Sequence, residues 1–193
     1  DAVATPLKII KKARISSFDK VGVIGAGGGL GIHMLKMLKL NNISAIGIDT
    51  KTEKFNTCNE NGAEFSVSPM ENDLKNKIAD YSKSHDLDVV IDFVSSKSSL
   101  ELGCSILGKG GRLVTLGGSG EQFLANSADM LVKELELIGS RYCTKQELKE
   151  SLDLYARGLI EPLVSVKTDF DGAEGLHDKI EKGEITGRAG ILI

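Results

Sequence analysis

The sequence predicts a doubly wound α/β fold, in which parallel strands are joined by crossover helices. Three observations predict it. Short apolar, β-rich runs alternate along the chain with segments of helical period, and that alternation demands parallel strands. The first run passes through a glycine-dense turn directly into a helix, and the second ends on an acidic residue. The expected sheet has six strands in the order 3-2-1-4-5-6, with a ligand at the switch point beside the first strand. A short C-terminal β-α-β segment should follow it.

The runs Val21–Gly25, Ala45–Ile48, Asp88–Phe93 and Arg112–Leu116 read as buried strands. Leu30, Met34, Met37 and Leu38 share one face of a helix spanning Leu30–Leu40. Leu74, Ile78 and Tyr81 mark a second helix, and Leu100, Cys104 and Leu107 a third. Four capping boxes should start helices: Thr50–Glu53, Ser68–Glu71 with Pro69 in the first turn, Thr144–Glu147 and Asp171–Glu174. Gly62 and Gly183 stand where helices should stop. Leu135–Tyr142 reads as a last, edge strand, followed by a helix carrying Leu148, Leu152, Tyr155 and Ala156. Beyond Glu161 the expected elements are strand Leu163–Lys167, helix Gly172–Lys182 and strand Ala189–Ile193.

A chain of 193 residues can hold one good core, or one core and a small appendage. Its 41% hydrophobic and 26% charged residues are ordinary for a soluble globular protein. A net charge of −3 gives no case for nucleic acid or an anionic membrane. The apolar runs are too short for a transmembrane helix. The sequence opens on Asp1 without Met or a signal-like segment, which reads as a fragment. Cys58, Cys104 and Cys143 have neither metal-knuckle nor redox-dithiol spacing, so reduced thiols in a cytoplasmic protein are expected.

The turn Gly25–Gly31 carries the strongest chemical signal. A strand, a glycine turn and a helix in succession let the backbone approach a diphosphate, with the helix N-terminus offering free N–H groups to it. The strict Gly-x-Gly-x-x-Gly spacing is not met, because the sixth residue from Gly25 is Leu30; the glycines fit Gly25, Gly28 and Gly31 instead. Asp49 follows the second strand, eighteen residues after Gly31. A carboxylate there accepts hydrogen bonds from adenosine ribose hydroxyls and repels the 2′-phosphate of NADP, so NAD is the expected cofactor of this Rossmann unit.

These segments resemble the cofactor domain of the zinc-dependent medium-chain alcohol dehydrogenases, most closely the yeast and archaeal tetrameric members. The resemblance rests on Gly25–Gly31, Gly47–Asp49 with Lys54, Asp88–Asp92, Gly110–Gly118, Leu137–Ser140, Ala156–Leu159 and Gly183–Arg188. It implies that Gly25, Gly28, Gly29, Leu30 and Gly31 hold the diphosphate and that Lys54 joins Asp49 at the ribose. Otherwise Lys54 is a solvated helix residue. It further places Phe93 and Val94, with Ser95, beside the riboses, Leu116, Gly117 and Gly118 along the nicotinamide, and Arg188 at the diphosphate. Thr5 matches a residue that touches the nicotinamide, or caps the helix that Pro6 begins. Asp1 falls at the position of a zinc ligand, 24 residues before Gly25, and carboxylate oxygen suits zinc. The family's other zinc ligands, a Cys and a His, lie in a domain with no counterpart here, and His33, His85 and His177 match no ligand position. No catalytic residue is assigned within the chain.

The resemblance implies a small alcohol or carbonyl substrate, with zinc lowering the alcohol's pKa and hydride passing to a nicotinamide oriented by this chain. Residues 1–18 are expected to be a linker helix, 19–143 the dinucleotide-binding domain, and 144–193 a helix and a segment returning to a catalytic domain, with apolar surface left open. The edge strand, residues 134–142, should join two copies into a homodimer or homotetramer. Two alternatives stand beside this reading: a zinc-free quinone or enoyl reductase of the same superfamily, and a non-catalytic NAD-binding module.

Overall fold

A computed structural model describes residues 1–83 and 86–193. Strands β1 (Lys20–Ile24), β2 (Ser44–Ile48), β3 (Ser66–Val67), β4 (Leu87–Asp92), β5 (Leu107–Thr115) and β6 (Glu136–Gly139) form one sheet in the order β3-β2-β1-β4-β5-β6. Every pairing in it is parallel. This is the expected topology. The two-residue β3 is too short to leave a periodic signal in the sequence.

Helices cover both faces. Helices α1 (Ala4–Lys12), α2 (Gly31–Leu40) and α3 (Phe55–Glu60) contribute Ile9, Ile32, Leu35 and Cys58 to the core on one side, where Val21 and Val23 of β1 point. Helices α4 (Leu74–Ser82) and α5 (Lys97–Ser105) contribute Leu74, Ile78 and Leu100 to the core on the other, against Ile24, Ile46 and Val90. Strands buried on both faces read as continuous apolar runs rather than alternating ones. Helices α6 (Ser127–Lys133) and α7 (Lys145–Ala156) follow. Strand β7 (Val164–Thr168), helix α8 (Ala173–Glu181) and strand β8 (Arg188–Ile191) then form a separate parallel pair, the expected β-α-β tail.

Several local expectations are corrected. The Thr50–Glu53 box does not form: a 3-10 turn, Thr52–Lys54, leads into α3, and Asp49 takes the Lys51 amide first. Ser68–Glu71 closes a turn, with Ser68 Oγ accepting from the Met70 amide, and α4 starts only at Leu74. At α8 the acceptor is Asp169 rather than Asp171, receiving the Gly172 N–H at 3.1 Å. The Thr144–Glu147 box is present in full. Ser96 caps α5 in a box closed by Ser99 instead of an acid, which hid it from the sequence pattern. Thr5 does not cap α1; it lies inside the first turn and donates to Asp1 Oδ1 at 2.9 Å. Strand β5 begins five residues earlier than expected, and β6 covers only the centre of the 134–142 edge. His85 lies outside the described residues. Among the described residues no helix is long and apolar enough to cross a membrane.

Candidate functional site

The C-terminal ends of β1, β2, β4 and β5 share one edge of the sheet, since Ile24 pairs with both Ile48 and Asp92, and Asp92 with Thr115. Everything that follows these strands therefore converges there. Gly25 turns away from β1 with φ +75°, a backbone that side chains resist. Gly31 opens α2 so close to the incoming chain that a Cβ on it would lie 2.2 Å from the Gly25 carbonyl oxygen. The Gly28 amide donates back to Gly25 O at 3.1 Å and so closes the bend.

The amides of Gly29, Leu30 and Gly31 donate to no acceptor among the described residues. They are the first-turn donors that a helix leaves free, with the positive end of its dipole behind them. Such an array suits a diphosphate.

Asp49 directly follows β2 and is 9% exposed. Its Oδ2 accepts the Gly27 N–H at 2.8 Å and its Oδ1 the Lys51 N–H at 3.0 Å. The carboxylate is thus fixed against the glycine turn, within the same cavity. Lys54 is not a solvated residue: it is buried, and its Nζ donates to Ile185 O at 2.8 Å.

Phe93 and Val94 follow β4. The fully buried Asp92 holds this loop, taking the Val94 amide at 2.8 Å and the Ser95 amide at 3.0 Å on Oδ1, and Ser99 Oγ at 2.7 Å on Oδ2. Ser95 Oγ accepts the Gly117 N–H at 2.7 Å, which ties this loop to the one after β5. Neither Asp92 nor Ser99 was singled out as a site residue in the sequence. An acid closing an apolar strand, followed by four serines, Ser95, Ser96, Ser98 and Ser99, is the signal that could have found them.

Three adjoining cavities run along this edge. The first, about 300 Å3, is walled by Ile48, Pro69, Met70, Ser96, Ser99 and Leu102; its apolar residues were not anticipated. The second, about 470 Å3, shares Gly25, Asp49, Thr50 and Val94 with the first and adds Gly28–Gly31, Lys54, Phe93, Arg188 and Asp1. The third, about 330 Å3, shares Asp1 and Leu30 with the second and is lined by Thr5, Leu116, Gly117, Gly118, Ser140 and Tyr142. All the site residues expected from sequence therefore lie along one groove.

Asp1 and Arg188 meet at its centre, with Arg188 Nη2 donating to Asp1 Oδ2 at 3.1 Å. Burial lowers the pKa of Arg188 from its ordinary value. Its Nε is buried without a partner among the described residues. Groups of three or more His, Cys, Asp or Glu able to hold a metal are absent among the described residues, so zinc does not fit this chain alone. The Asp1 carboxylate already accepts one hydrogen bond on each oxygen, from Thr5 and from Arg188. Burial pushes the Cys58 thiol up to about 11, followed by the charge of Asp49, which leaves it inert at neutral pH.

Comparison with known proteins gives a consistent picture. Residues 29–157 match the zinc-binding dehydrogenase family. A NAD-dependent alcohol dehydrogenase of Sulfurisphaera tokodaii is 25% identical over 185 residues, covering 95% of this chain and 53% of that protein. An acryloyl-coenzyme A reductase of Metallosphaera sedula is 27% identical over 182 residues, covering 91% and 52%. The crystal structure of the alcohol dehydrogenase from Aeropyrum pernix superposes with a TM-score of 0.88 at 28% identity, over 98% of this chain and 55% of that one. The chain thus spans about half the length of the curated relatives it matches.

Proposed function

Because the chain belongs to the zinc-binding dehydrogenase family, we propose that it is the NAD-binding part of an alcohol dehydrogenase, which binds and orients the cofactor for hydride transfer to or from a small alcohol or carbonyl compound. The observation that carries this reading is the groove itself. Free amides at Gly29–Gly31 stand between a cavity with an apolar wall and a second one lined by Leu116–Gly118. That is the order of adenine, diphosphate and nicotinamide in the dinucleotide.

In this reading the adenine lies in the first cavity, between the side chains of Ile48 and Leu102. Asp49 receives the adenosine ribose hydroxyls, with Lys54 beside it. Gly25, Gly28–Gly31 and Arg188 hold the diphosphate, and Phe93 and Val94 adjoin the riboses. Thr5, Leu116, Gly117 and Gly118 define which nicotinamide face is open. The nicotinamide carries the hydride when bound; the chain supplies binding, orientation and exclusion of water. Zinc in the whole protein would act as Lewis acid on the substrate oxygen, with Asp1 as this chain's one candidate ligand. We place the domain boundaries near residues 18 and 143, the dimer or tetramer contact on the 134–142 edge, and the protein in the cytoplasm, where its three unpaired thiols stay reduced.

A second reading, reduction of an enoyl thioester, rests on the match to an acryloyl-coenzyme A reductase and has less behind it than the alcohol dehydrogenase matches. Cofactor preference separates the two on the grounds of charge at position 49. Calorimetric titration should show NAD binding at least tenfold tighter than NADP, with the gap narrowed in Asp49→Ser. Binding of NADP as tight as NAD would favour the reductase, and no binding of either at millimolar concentration would contradict the proposal.

A further inference from the structure

His33 stands on the first turn of α2, faces away from the groove, and is fully buried. Both its ring nitrogens are engaged. Nδ1 lies 2.7 Å from Gly29 O, and Nε2 accepts the Leu163 N–H at 3.0 Å. Since Leu163 N–H can only donate, Nε2 carries no proton; the ring is neutral and Nδ1–H donates to Gly29 O. Burial, the largest influence, holds its pKa below the usual histidine value. The bond to Gly29 opposes that, and the charges of Lys36, Arg188 and the amino terminus add to it.

We propose that His33 is the positioning residue for the diphosphate-binding turn, locking it from behind to the returning C-terminal segment. This rests on the reading of the turn given above. The Gly29 carbonyl and the Leu30 N–H belong to one planar peptide unit. Pulling the carbonyl oxygen back onto His33 therefore turns the Leu30 N–H the opposite way, toward the groove that Leu30 lines. The other nitrogen fixes Leu163, whose carbonyl accepts the Arg188 amide at 2.9 Å, while Gly187 N–H donates to Gly27 O at 3.1 Å. One imidazole thus sets the aim of a loop amide and the anchorage of the strand that carries Arg188. An aliphatic residue would fill the space and do neither.

The test compares His33→Phe with His33→Asn, whose amide N–H stands where Nδ1–H stood and can still donate to Gly29 O. Calorimetry with NAD and ADP-ribose should show His33→Phe binding both about tenfold more weakly than the unmodified chain. Adenosine affinity should be unchanged, and His33→Asn should recover most of the loss. Equal loss of adenosine affinity would mark general damage and overturn the inference. So would His33→Asn binding no better than His33→Phe. Should His33→Phe fail to fold, the ring nitrogens of the unmodified chain decide by NMR, the Nδ1–H tautomer being required and the Nε2–H tautomer contradicting it. An unmodified chain that binds neither NAD nor ADP-ribose sinks the NAD reading and this inference together. One that binds both, with His33→Phe its equal, sinks only this inference.

Discussion

Strands β1 and β6 belong to one sheet and live in different environments. Strand β1 has a neighbour on each side and helices on both faces, and it buries every residue but Lys20. Strand β6 pairs only with β5, and none of its residues is buried. The helix before it, α6, buries nothing either, leaving Leu131 79% and Val132 72% exposed. On the tail, Phe170, Ile180 and Leu192 are also open. The half of the molecule that carries the glycine turn has its own buried core and is tied to the tail through Leu163, Ile185 and Gly187, whereas the other half presents apolar residues to whatever adjoins it. Cofactor binding should depend on the first half together with that tail contact, and assembly on the exposed α6–β6 surface.

The largest expected effect lies in the first half. Leu35→Ala empties a fully buried site on α2 and should lower unfolding free energy by about 3 kcal/mol in denaturant titration. Next comes Asp92→Ala. It strips three donors of their acceptor and should cost about 2 kcal/mol, with weaker NAD binding through the loosened 93–95 loop.

A smaller effect is the pH dependence contributed by His33. Its folded pKa is lowered from the model-peptide value of 6.5. The unfolded chain therefore takes up the proton first, so the stability His33 contributes is present above pH 6.5 and is lost as pH falls through the lower folded value. Melting curves across that window should show a steeper acid loss for the unmodified chain than for His33→Asn. Burial is the largest cause of this shift; the bond to Gly29 opposes it, and the charges of Lys36, Arg188 and the amino terminus add to the lowering.

Thr144→Ala removes the cap of α7 and should cost about 1 kcal/mol. Smallest of all, Leu131→Ser should change stability by under about 0.5 kcal/mol while shifting sedimentation toward monomer if that surface assembles. A stability loss as large as that of Leu35→Ala would erase the distinction between the halves.

The same contrast explains what could be read in the sequence. Runs such as Val21–Ile24 and Ala45–Ile48 declare themselves because burial on both faces leaves only apolar residues. The glycine turn and Asp49 were legible because their chemistry is local, fixed by spacing along the chain. Lys54 was placed beside Asp49 by the resemblance, but its burial and its bond to Ile185 were not legible, since that partner lies 131 residues away. His33 matches no ligand position in the sequence, and its role was hidden for the same reason: Leu163 is 130 residues distant. The Thr50–Glu53 box does not form because the Asp49 carboxylate takes the Lys51 amide and the helical turn starts only at Thr52, and a pattern alone does not show such a rival acceptor.

The central claim is that one groove, built on the glycine turn and Asp49, takes up NAD. Amide NMR of the labelled chain during NAD titration tests it most directly. The account predicts saturable shifts at Gly27–Gly31, Lys51, Val94 and Gly117, with β6 and α8 unmoved. Shifts confined to the exposed α6–β6 edge, or none at millimolar NAD, would contradict it.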